Sequence, residues 1–426
     1  RRTAEIVGRD RKDRQMDTTV TTQSNRRSFL ATVSAGTAGL VLAKPKTVFG
    51  SPANSKITFG IIGSGGRGGF VWKKFRQNTP DDVQLISICD YFQDRMDSFQ
   101  ERFSDDHPKV FRGLHSYREV LNSDIDAVVI TTPPYFHPEQ AAAAVEAGKH
   151  LWLAKPVGVD VPGCTSIKES GKKADGKSVF LVDFQSRNSP FFVEAVRRVR
   201  EGAIGEMVSG EAFNHFPAAG KPERGGMTES EYRLRCYPTD RILSGDDVVD
   251  QAVHAMDIID WIIGTHPTKA YGTGGLKVRV NNGTNWDHFT VTYWYGDGPV
   301  IDLNCSRFVK RYNNLGGRVF GSLGVLHAHY CSDSWGTGPV AIVGEPGKND
   351  WEGTERDNTW DIGINNNCKD FIRAIRSGKY MNHAEDGANS TLTSILGRTA
   401  SYQNRVVTWD EMLAANEKLE LDFQLG

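Results

Sequence analysis

Residues 57–68 read ITFGIIGSGGRG, and this stretch decides the fold of the first half of the chain. Ile57 to Ile62 is a short run rich in β-branched residues, which predicts a buried strand. The run ends at Gly63, and apolar residues take up helical spacing from Phe70 onward. The predicted order is therefore strand, glycine-rich turn and helix, in which the glycines give the backbone conformational freedom.

The glycines of this turn follow the pattern G-x-G-x-x-G. In this context Gly63 permits a tight turn, Gly65 lets a pyrophosphate approach the backbone, and Gly68 lets the helix pack closely on the strand. The N-terminus of the helix then faces the phosphates. We therefore expect a dinucleotide site here, with Gly66 and Arg67 also in contact with the nucleotide.

A second predicted strand, Val83 to Asp90, ends in a carboxylate. In a dinucleotide-binding fold, an acidic residue at this distance from the glycines hydrogen-bonds the adenosine ribose. The carboxylate of Asp90 would repel a 2′-phosphate, which favours NAD as the cofactor. Arg95 lies near enough in the sequence to leave NADP as the alternative.

Strand and helix patterns alternate up to about residue 183. Further strands are predicted at residues 126–132, 150–154 and 178–183, and helices at 138–147 and 164–174. This alternation predicts an α/β fold with a doubly wound, mostly parallel sheet, the Rossmann arrangement.

The pattern changes from about residue 205. Runs such as residues 289–295 and 299–304 alternate apolar with polar residues between Asn/Gly turns, which predicts antiparallel sheet. We therefore expect a Rossmann domain over residues 54–183. A C-terminal α+β domain with a large open, mostly antiparallel sheet is expected over residues 184–426.

Composition disfavours several classes of protein. The chain has 51 Lys and Arg against 52 Asp and Glu, a net charge of -1, so binding to nucleic acid or to an anionic membrane surface is not expected. The six cysteines form no C-x-x-C pair and no cluster with zinc-ligand spacing. We therefore expect neither a metal site nor a disulfide framework.

Residues 1–53 differ in kind from the rest of the chain. An apolar run from Ser28 to Ala43 follows the pair Arg26-Arg27. It is too short for a stable membrane span, which needs about 20 residues. The segment resembles a twin-arginine export signal, with cleavage expected after Ala43 or Ala53.

An export signal of this kind predicts a periplasmic or secreted protein that the twin-arginine machinery carries out already folded, with its cofactor. The protein would stay cytoplasmic if the signal did not function. The length of the basic region suggests that translation starts at Met16, with residues 1–15 upstream.

The motifs of the whole chain, taken in order, resemble the glucose-fructose oxidoreductase/inositol dehydrogenase/MocA family. They are GxGxxG, Cys89-Asp90, Thr132-Pro-Pro-Tyr-Phe-His137, Ala147-Gly-Lys-His150, Ala154-Lys155-Pro156 and Asp250-x-x-x-His254-x-x-Asp257. The resemblance covers nearly everything after residue 53. It implies hydride transfer at a hydroxyl carbon of a sugar or cyclitol, and an open C-terminal sheet that builds homodimers or homotetramers.

The family's Glu-Lys-Pro motif corresponds to residues 154–156, where Ala replaces Glu. The resemblance implies that Lys155 is the catalytic lysine and contacts both substrate and cofactor. Lys155 also ends a predicted strand, at the edge where ligands bind in such sheets. Cofactor contacts from Thr132, Pro133 and His137 are implied as well, although we expect His137 mainly to pin a loop.

A second group of candidates lies near residue 254. The pattern predicts one helix over residues 246–263, capped by Ser244, on which Asp250, His254 and Asp257 share one face. Burying three ionisable groups is costly unless they are paired or face a cleft. We expect His254 to be the base, Asp250 to hold its second ring nitrogen, and His254 and Asp257 to contact the substrate hydroxyls.

Other side chains are weaker candidates for the substrate site. Arg187 follows the strand that ends near the same edge, so we expect it to reach the substrate. Tyr237, Trp335 and Trp351 are candidates for stacking on a sugar ring, although aromatic residues in a β-rich domain more often belong to the core.

These observations predict an NAD-dependent, or alternatively NADP-dependent, oxidoreductase that acts on a sugar or polyol with a tightly bound cofactor. One alternative is a glycoside-cleaving enzyme that oxidises its substrate transiently with bound NAD. Another is a sugar or nucleotide sensor without catalysis, which the Ala at position 154 favours. Lys155, Asp250 and His254 together favour an enzyme.

Overall fold

Six parallel strands in the order β3-β2-β1-β4-β5-β6 form the first sheet. The computed structural model describes residues 55–218, 220, 222–280, 283–310, 312–331, 340–354 and 359–425. The strands are β1 (Ile57–Ile62), β2 (Val83–Asp90), β3 (Lys109–Arg112), β4 (Ala127–Ile130), β5 (His150–Leu153) and β6 (Phe180–Val182). This order, reversing beside β1, confirms the predicted Rossmann sheet.

Helices cover both faces of this sheet, which explains why β1 and β4 are apolar and buried almost throughout. On one face, Phe59 of β1 packs with Phe75 and Phe371. On the other face, Ile62 and Ile130 belong to a different core cluster. The helices of this half are α1 (Gly66–Asn78), α2 (Gln93–Arg102), α3 (Tyr117–Leu121), α4 (His137–Glu146) and α5 (Val161–Ala174), and the next helix, α6 (Pro190–Arg200), packs on the second sheet.

Nine strands form the second sheet, in the order β14-β13-β12-β11-β7-β10-β9-β8-β15. Among the described strands of this second sheet, only β7 and β10 pair in parallel, so the predicted mostly antiparallel sheet is confirmed. The strands are β7 (Met207–His215), β8 (Lys269–Gly275), β9 (His288–Trp294), β10 (Val300–Ser306), β11 (Asn314–Gly321), β12 (Gly324–Cys331), β13 (Val340–Val343), β14 (Trp351–Thr354) and β15 (Val407–Thr408).

Seven further helices accompany the second sheet in the described part of the chain. They are α7 (Glu229–Arg235), α8 (Arg241–Ser244), α9 (Asp247–Asp250), α10 (Val253–Ile263), α11 (Thr359–Ser377), α12 (Ala384–Gln403) and α13 (Trp409–Ala415). Short 3₁₀ turns occupy Pro134–Phe136, Ser186–Asn188 and Tyr237–Thr239. No helix among the described residues is long and apolar enough to cross a bilayer.

The single helix predicted over residues 246–263 is wrong, because the chain breaks twice in this region. Gly245 ends α8 in the left-handed conformation (φ 82°), and the hydroxyl of Ser244 donates back to the Asp240 carbonyl (2.7 Å) instead of capping a following helix. Asp246 caps α9 instead. A second break separates α9 from α10, so Asp250 and His254 do not share one helical face.

One continuous core joins the two sheets. Buried side chains from β4 and β5 continue through α10 and α12 to the inner face of the second sheet. In addition, α11 returns from the C-terminal half to pack on α1, where Phe371 lies in the same cluster as Phe75. The edge of the first sheet and the first turn of α10 therefore have one fixed relative position.

Candidate active site

The carboxyl ends of β1, β2, β4 and β5 lie at one edge of the first sheet, as parallel pairing requires. The residues that follow or end these strands include Gly63, Asp90, Thr132 and Lys155. Two adjoining cavities open along this edge. The first is lined from the glycine turn to Asp90, and the second reaches Lys155.

The first cavity, of about 280 Å³, lies beside the glycine turn. Its lining includes seven residues that the sequence predicts as cofactor contacts: Gly63, Gly65, Gly66, Arg67, Asp90, Thr132 and Pro133. We call this cavity the cofactor groove.

The glycines of the groove have the geometry that a dinucleotide needs. Gly63 has φ +92°, and a Cβ there would lie 2.9 Å from the backbone of Thr131. A Cβ on Gly68 would overlap the carbonyl oxygen of Gly63, so this glycine serves close helix packing. A Cβ on Gly66 would meet no protein atom within 4 Å, which leaves open space for a phosphate beside the start of α1.

Asp90 ends β2 inside the groove and is only 8% exposed. Burial raises the pKa of its carboxyl group, and the nearby Arg95 guanidinium opposes that rise. One carboxylate oxygen accepts the Phe92 amide (3.1 Å), and the backbone amides of Ser64 and Tyr91 also stabilise the charged form. A ribose hydroxyl fits this position.

His137 does not line either cavity, so this structure gives it no contact with the cofactor groove, contrary to the prediction. Its ring is fully buried, with Nδ1 2.8 Å from the carbonyl oxygen of Pro156 and Nε2 2.8 Å from that of Thr132, and the neutral ring donates to one of the two. Burial lowers the pKa of the ring to about 4. The side chain ties the loops after β4 and β5 together, which agrees with the expected structural role.

The second cavity, of about 260 Å³, brings Lys155, Asp250 and His254 together. We call it the substrate cavity. It shares Arg67, Thr131, Thr132 and Tyr237 with the cofactor groove, so the two spaces adjoin. An ammonium from the first sheet and an imidazole from α10 thus face one crevice beside the nucleotide site.

Lys155 is held by Asp250 through two interactions. Its Nζ donates to the backbone carbonyl of Asp250 and lies 3.8 Å from the Oδ1 atom of the same residue. Burial lowers the pKa of Lys155, whereas the Asp250 carboxylate raises it; the net shift is downward. The lysine remains a donor aimed into the cavity, with its proton less firmly held than in water.

The predicted hydrogen bond between Asp250 and His254 is absent. The Asp250 carboxylate accepts from Gln251 (2.7 Å), and the buried Nδ1 of His254 has no hydrogen-bond partner among the described residues. The break between α9 and α10 explains this, because it removes the i to i+4 register. The imidazole is oriented instead by stacking on Tyr330, with ring centroids 5.4 Å apart, and by the edge of Phe184.

His254 is neutral at physiological pH in this setting. Burial and then the positive fields of Lys155 and Arg67 lower its pKa well below the ordinary 6.5. A neutral imidazole at the cavity wall can accept a proton from a hydroxyl group.

Arg187 and Asp257 do not reach the substrate cavity, so the prediction that they contact substrate is not met in this geometry. Asp257 is fully buried and binds Nε of Arg187 with both oxygens (3.0 and 3.1 Å), and it also accepts from Ser390 (2.7 Å). Arg187 bonds Asp386 as well (3.1 Å). Through these bonds, Arg187 and Asp257 join the loop after β6 to α10 and α12.

Sequence reasoning missed Asp183, which follows β6 at the same sheet edge. It is fully buried, accepts from the Arg67 guanidinium and from Asn367 (3.0 Å), and raises the pKa of Lys155. Its place after a strand, like that of Asp90, was a usable signal. Because residue 154 is Ala, the end of β5 next to Lys155 carries no carboxylate. Asp183, at the end of the neighbouring strand β6, supplies a carboxylate there instead.

The aromatic candidates separate in the structure. Tyr237 lines both cavities, and burial raises the pKa of its hydroxyl. Trp351 lies in β14 against Arg198 (5.1 Å), away from both cavities, and Trp335 is outside the described residues. Trp360, at the start of α11, lines the substrate cavity and stacks on Phe70. No sequence pattern pointed to it.

Two domain models match the chain in order. Residues 57–182 match the GFO/IDH/MocA oxidoreductase family, NAD-binding Rossmann fold, and residues 192–327 match the GFO/IDH/MocA C-terminal domain. The first match confirms the predicted NAD-binding Rossmann domain.

Curated relatives match over part of their length. The chain is 32% identical over 211 residues to the alpha-N-acetylgalactosaminidase of Shewanella oneidensis. It is 31% identical over 211 residues to glycosyl hydrolase family 109 protein 1 of a Shewanella species. Each alignment covers 44% of this chain and 45% of the relative, so the chain spans about half the length of the curated relatives it matches.

Solved structures match over most of the chain. Scyllo-inositol dehydrogenase from Lactobacillus casei, with bound NAD(H) and scyllo-inositol, has a TM-score of 0.65 at 20% identity and covers 84% of this chain and 100% of its own. Aldose-aldose oxidoreductase from Caulobacter crescentus has a TM-score of 0.64 at 17% identity, with 83% and 100% covered. These similarities establish the shared two-domain fold.

Proposed function

This chain belongs to the glucose-fructose oxidoreductase/inositol dehydrogenase/MocA family, and from that premise we propose that it transfers hydride between a hydroxyl carbon of a sugar or polyol and NAD. One observation supports this most directly. Lys155 and His254, from separate layers of the fold, line one cavity that adjoins the cofactor groove.

The residues of the groove fit a dinucleotide. Open space beside Gly66 suits the pyrophosphate, and the carboxylate of Asp90, which lines the groove at the end of β2, suits the adenosine ribose. That carboxylate also disfavours a 2′-phosphate, so NAD is proposed over NADP. Once bound, the nicotinamide supplies the acceptor for hydride.

Two side chains of the substrate cavity have different roles in proton transfer and charge stabilisation. His254, neutral and rigidly stacked, is placed to accept the proton of the reacting hydroxyl. Lys155, held by Asp250, is placed to donate a hydrogen bond to the oxygen as negative charge develops on it. Reduction of a carbonyl reverses these roles.

The test measures bound cofactor and turnover separately. The purified protein is denatured to release and identify any nucleotide, and nicotinamide fluorescence is then followed with a panel of monosaccharides and cyclitols. The proposal predicts NAD in the released nucleotide and a fluorescence change with at least one polyol. A protein that holds no nucleotide and binds none when NAD is added would refute it.

A second candidate function is glycoside cleavage through a transiently oxidised sugar, supported by the curated relatives named as an alpha-N-acetylgalactosaminidase and as glycosyl hydrolases. Hydride would leave a ring carbon for NAD, the adjacent C–H would lose a proton as the glycosidic bond breaks, water would add, and the hydride would return. The sum is hydrolysis with no net change in NAD. Release of nitrophenol from aryl glycosides without net NADH distinguishes this route from the dehydrogenase.

We propose that the protein is exported and forms a homo-oligomer. Residues 26–43, which carry the export prediction, lie outside the described residues. Replacing Arg26 and Arg27 by Lys should retain the protein in the cytoplasm, as fractionation would show.

The outer face of the second sheet is the surface on which we propose that the homo-oligomer assembles. A Cβ on Gly272 would face α12, and a Cβ on Gly317 would face α10. Because successive residues of a strand face opposite sides of the sheet, the neighbouring side chains of Tyr271 and Arg318 face away from the core. Tyr271 is 40% exposed there. Light scattering on the purified protein would give the number of chains.

A further inference from the structure

The C-terminal half of the chain supplies an outer wall to the cofactor groove. Leu234 and Tyr237 line that groove although they follow β7, far along the chain from the glycine turn. They belong to residues 228–239, which comprise α7 and the following 3₁₀ turn, and we call this segment the strap. Thr228 and Glu231 form a capping box that starts α7.

The strap is fastened to the first domain beside the adenosine end of the groove. Arg235 makes two parallel bonds to Asp94 of α2, Nη1 to Oδ2 and Nη2 to Oδ1, both 2.8 Å. Its guanidinium lies 3.9 Å from the centre of the Phe92 ring, which itself lines the groove. Because Asp90 marks the ribose position, this fastening lies next to the nucleoside.

Apolar packing completes the closure. Leu234 and Phe92 form a buried cluster with Phe136 and Leu243, so residues of both domains meet over the groove. On the outer side, Arg233 bonds Asp422 (2.7 Å) in the C-terminal segment of the described chain and lies 4.3 Å from the ring of Phe423. The strap is thus held from both sides.

We infer that the strap retains the nucleotide, and that the Arg235–Asp94 pair must open before NAD can exchange. This inference rests on the proposed function. A nucleotide whose ribose sits at Asp90 would lie between the first sheet and Leu234, so it could not leave along that side while the strap is closed.

The fastening slows exchange rather than preventing it. The side chain of Asp94 is 65% exposed and that of Arg235 is 20% exposed. Ion pairs in such settings are weak because water screens them. The strap is therefore expected to open transiently, at a rate set by the ion pair, the Phe92 stacking and the burial of Leu234 together.

The test compares NAD release from the full chain and its variants. The protein is loaded with NADH, and loss of bound NADH fluorescence is followed after adding excess NAD. Arg235→Ala removes the ion pair and the stacking, and Asp94→Asn removes one partner at the surface. Leu234→Ala shortens the wall without changing charge. Arg405→Ala is the matched control, because it breaks an exposed ion pair with Glu411 (2.5 Å) that involves neither the strap nor the first domain.

We expect release about 10-fold faster in Arg235→Ala, a change that corresponds to about 1.4 kcal/mol. Asp94→Asn and Leu234→Ala should also release faster. The double variant of Arg235 and Asp94 should match Arg235→Ala, and the control should match the wild type. Equal release rates for the wild type and all three strap variants would overturn the inference alone. A wild type that binds no NADH would overturn the proposed function and this inference with it.

Discussion

Lys155 donates from Nζ to the backbone carbonyl oxygen of Asp250, and the same Nζ lies 3.8 Å from Oδ1 of that residue. One residue of α9 therefore both fixes the ammonium in place and offsets part of the burial that lowers its pKa. The lysine comes from the first domain and the aspartate from the second. Their contact joins the two halves of the site.

Lys155→Ala should lower turnover with the best polyol about 10²- to 10⁴-fold, because it removes the donor to the developing oxyanion. Nucleotide content should stay near that of the wild type. Lys173→Ala is the control, since that lysine is exposed and pairs only with Glu146 across neighbouring helices. Steady-state rates decide the matter, and a loss smaller than 10-fold would argue against a catalytic lysine.

Asp250→Asn should shift the alkaline limb of the pH profile toward lower pH. The carboxylate raises the pKa of Lys155, so its removal lets burial lower that pKa further. A lysine that acts as a protonated donor is then lost at a lower pH than in the wild type. The logarithm of kcat against pH measures the shift, and a shift toward higher pH would contradict the assigned pairing.

His254→Gln should slow oxidation by at least about 10²-fold. In the wild type, protonation of His254 should cause no fall in rate between about pH 8 and about pH 6. The base works in its neutral form, and burial with the fields of Lys155 and Arg67 keeps its pKa well below 6.5. Only below that pKa does a proton block it. An acidic limb near pH 6.5 that disappears in His254→Gln would show that the ring is not desolvated as described.

Gly68→Ala and Gly66→Ala should have different effects. A Cβ at position 68 would overlap the carbonyl of Gly63, so the first change should lower the free energy of unfolding by about 1–3 kcal/mol. A Cβ at position 66 meets no protein atom, so the second should leave stability near wild type and weaken NAD binding. Urea denaturation and NAD titration separate the two, and weak NAD binding without any stability loss in Gly68→Ala would contradict the packing role.

Asp257→Asn should act on stability more than on substrate binding. It leaves the guanidinium of Arg187 without its buried partner, which costs about 3–5 kcal/mol. KM for the polyol should change less than 3-fold, because neither Asp257 nor Arg187 lines the substrate cavity. A large rise in KM at unchanged stability would restore the substrate contact that the spacing suggested.

Much of the first domain was readable from the sequence because its signals are local. The glycines of residues 63–68 need particular backbone conformations, and the buried strands must be apolar on both faces. The rule that ligands bind at the carboxyl ends of parallel strands placed Lys155 at the ligand edge, and the spacing from the glycines indicated Asp90. The strand predicted over residues 178–183 ends at the same edge, but there the prediction named Arg187 and not Asp183.

For the substrate cavity, the sequence predicted which residues line it but not which of their side chains bond to each other. Spacing pointed to Asp250 and His254, and both line the cavity. It also paired them, which failed because the helix breaks between α9 and α10, so Asp250 and His254 lie on different helices. Asp257 was assigned to substrate because the sequence does not show that Arg187 comes within 3 Å of it.

The sequence by itself therefore determined the strand, turn and helix of the nucleotide site, since those depend on short-range sterics and hydrophobic periodicity. Only the tertiary structure decided which charges meet: Lys155 with Asp250, Arg187 with Asp257, and Arg235 with Asp94. The physical reason is that each partner comes from a segment 70 to 141 positions away, where no local pattern records it. Burial makes the charges of Lys155 and Arg187 require a partner, but the sequence does not say which one.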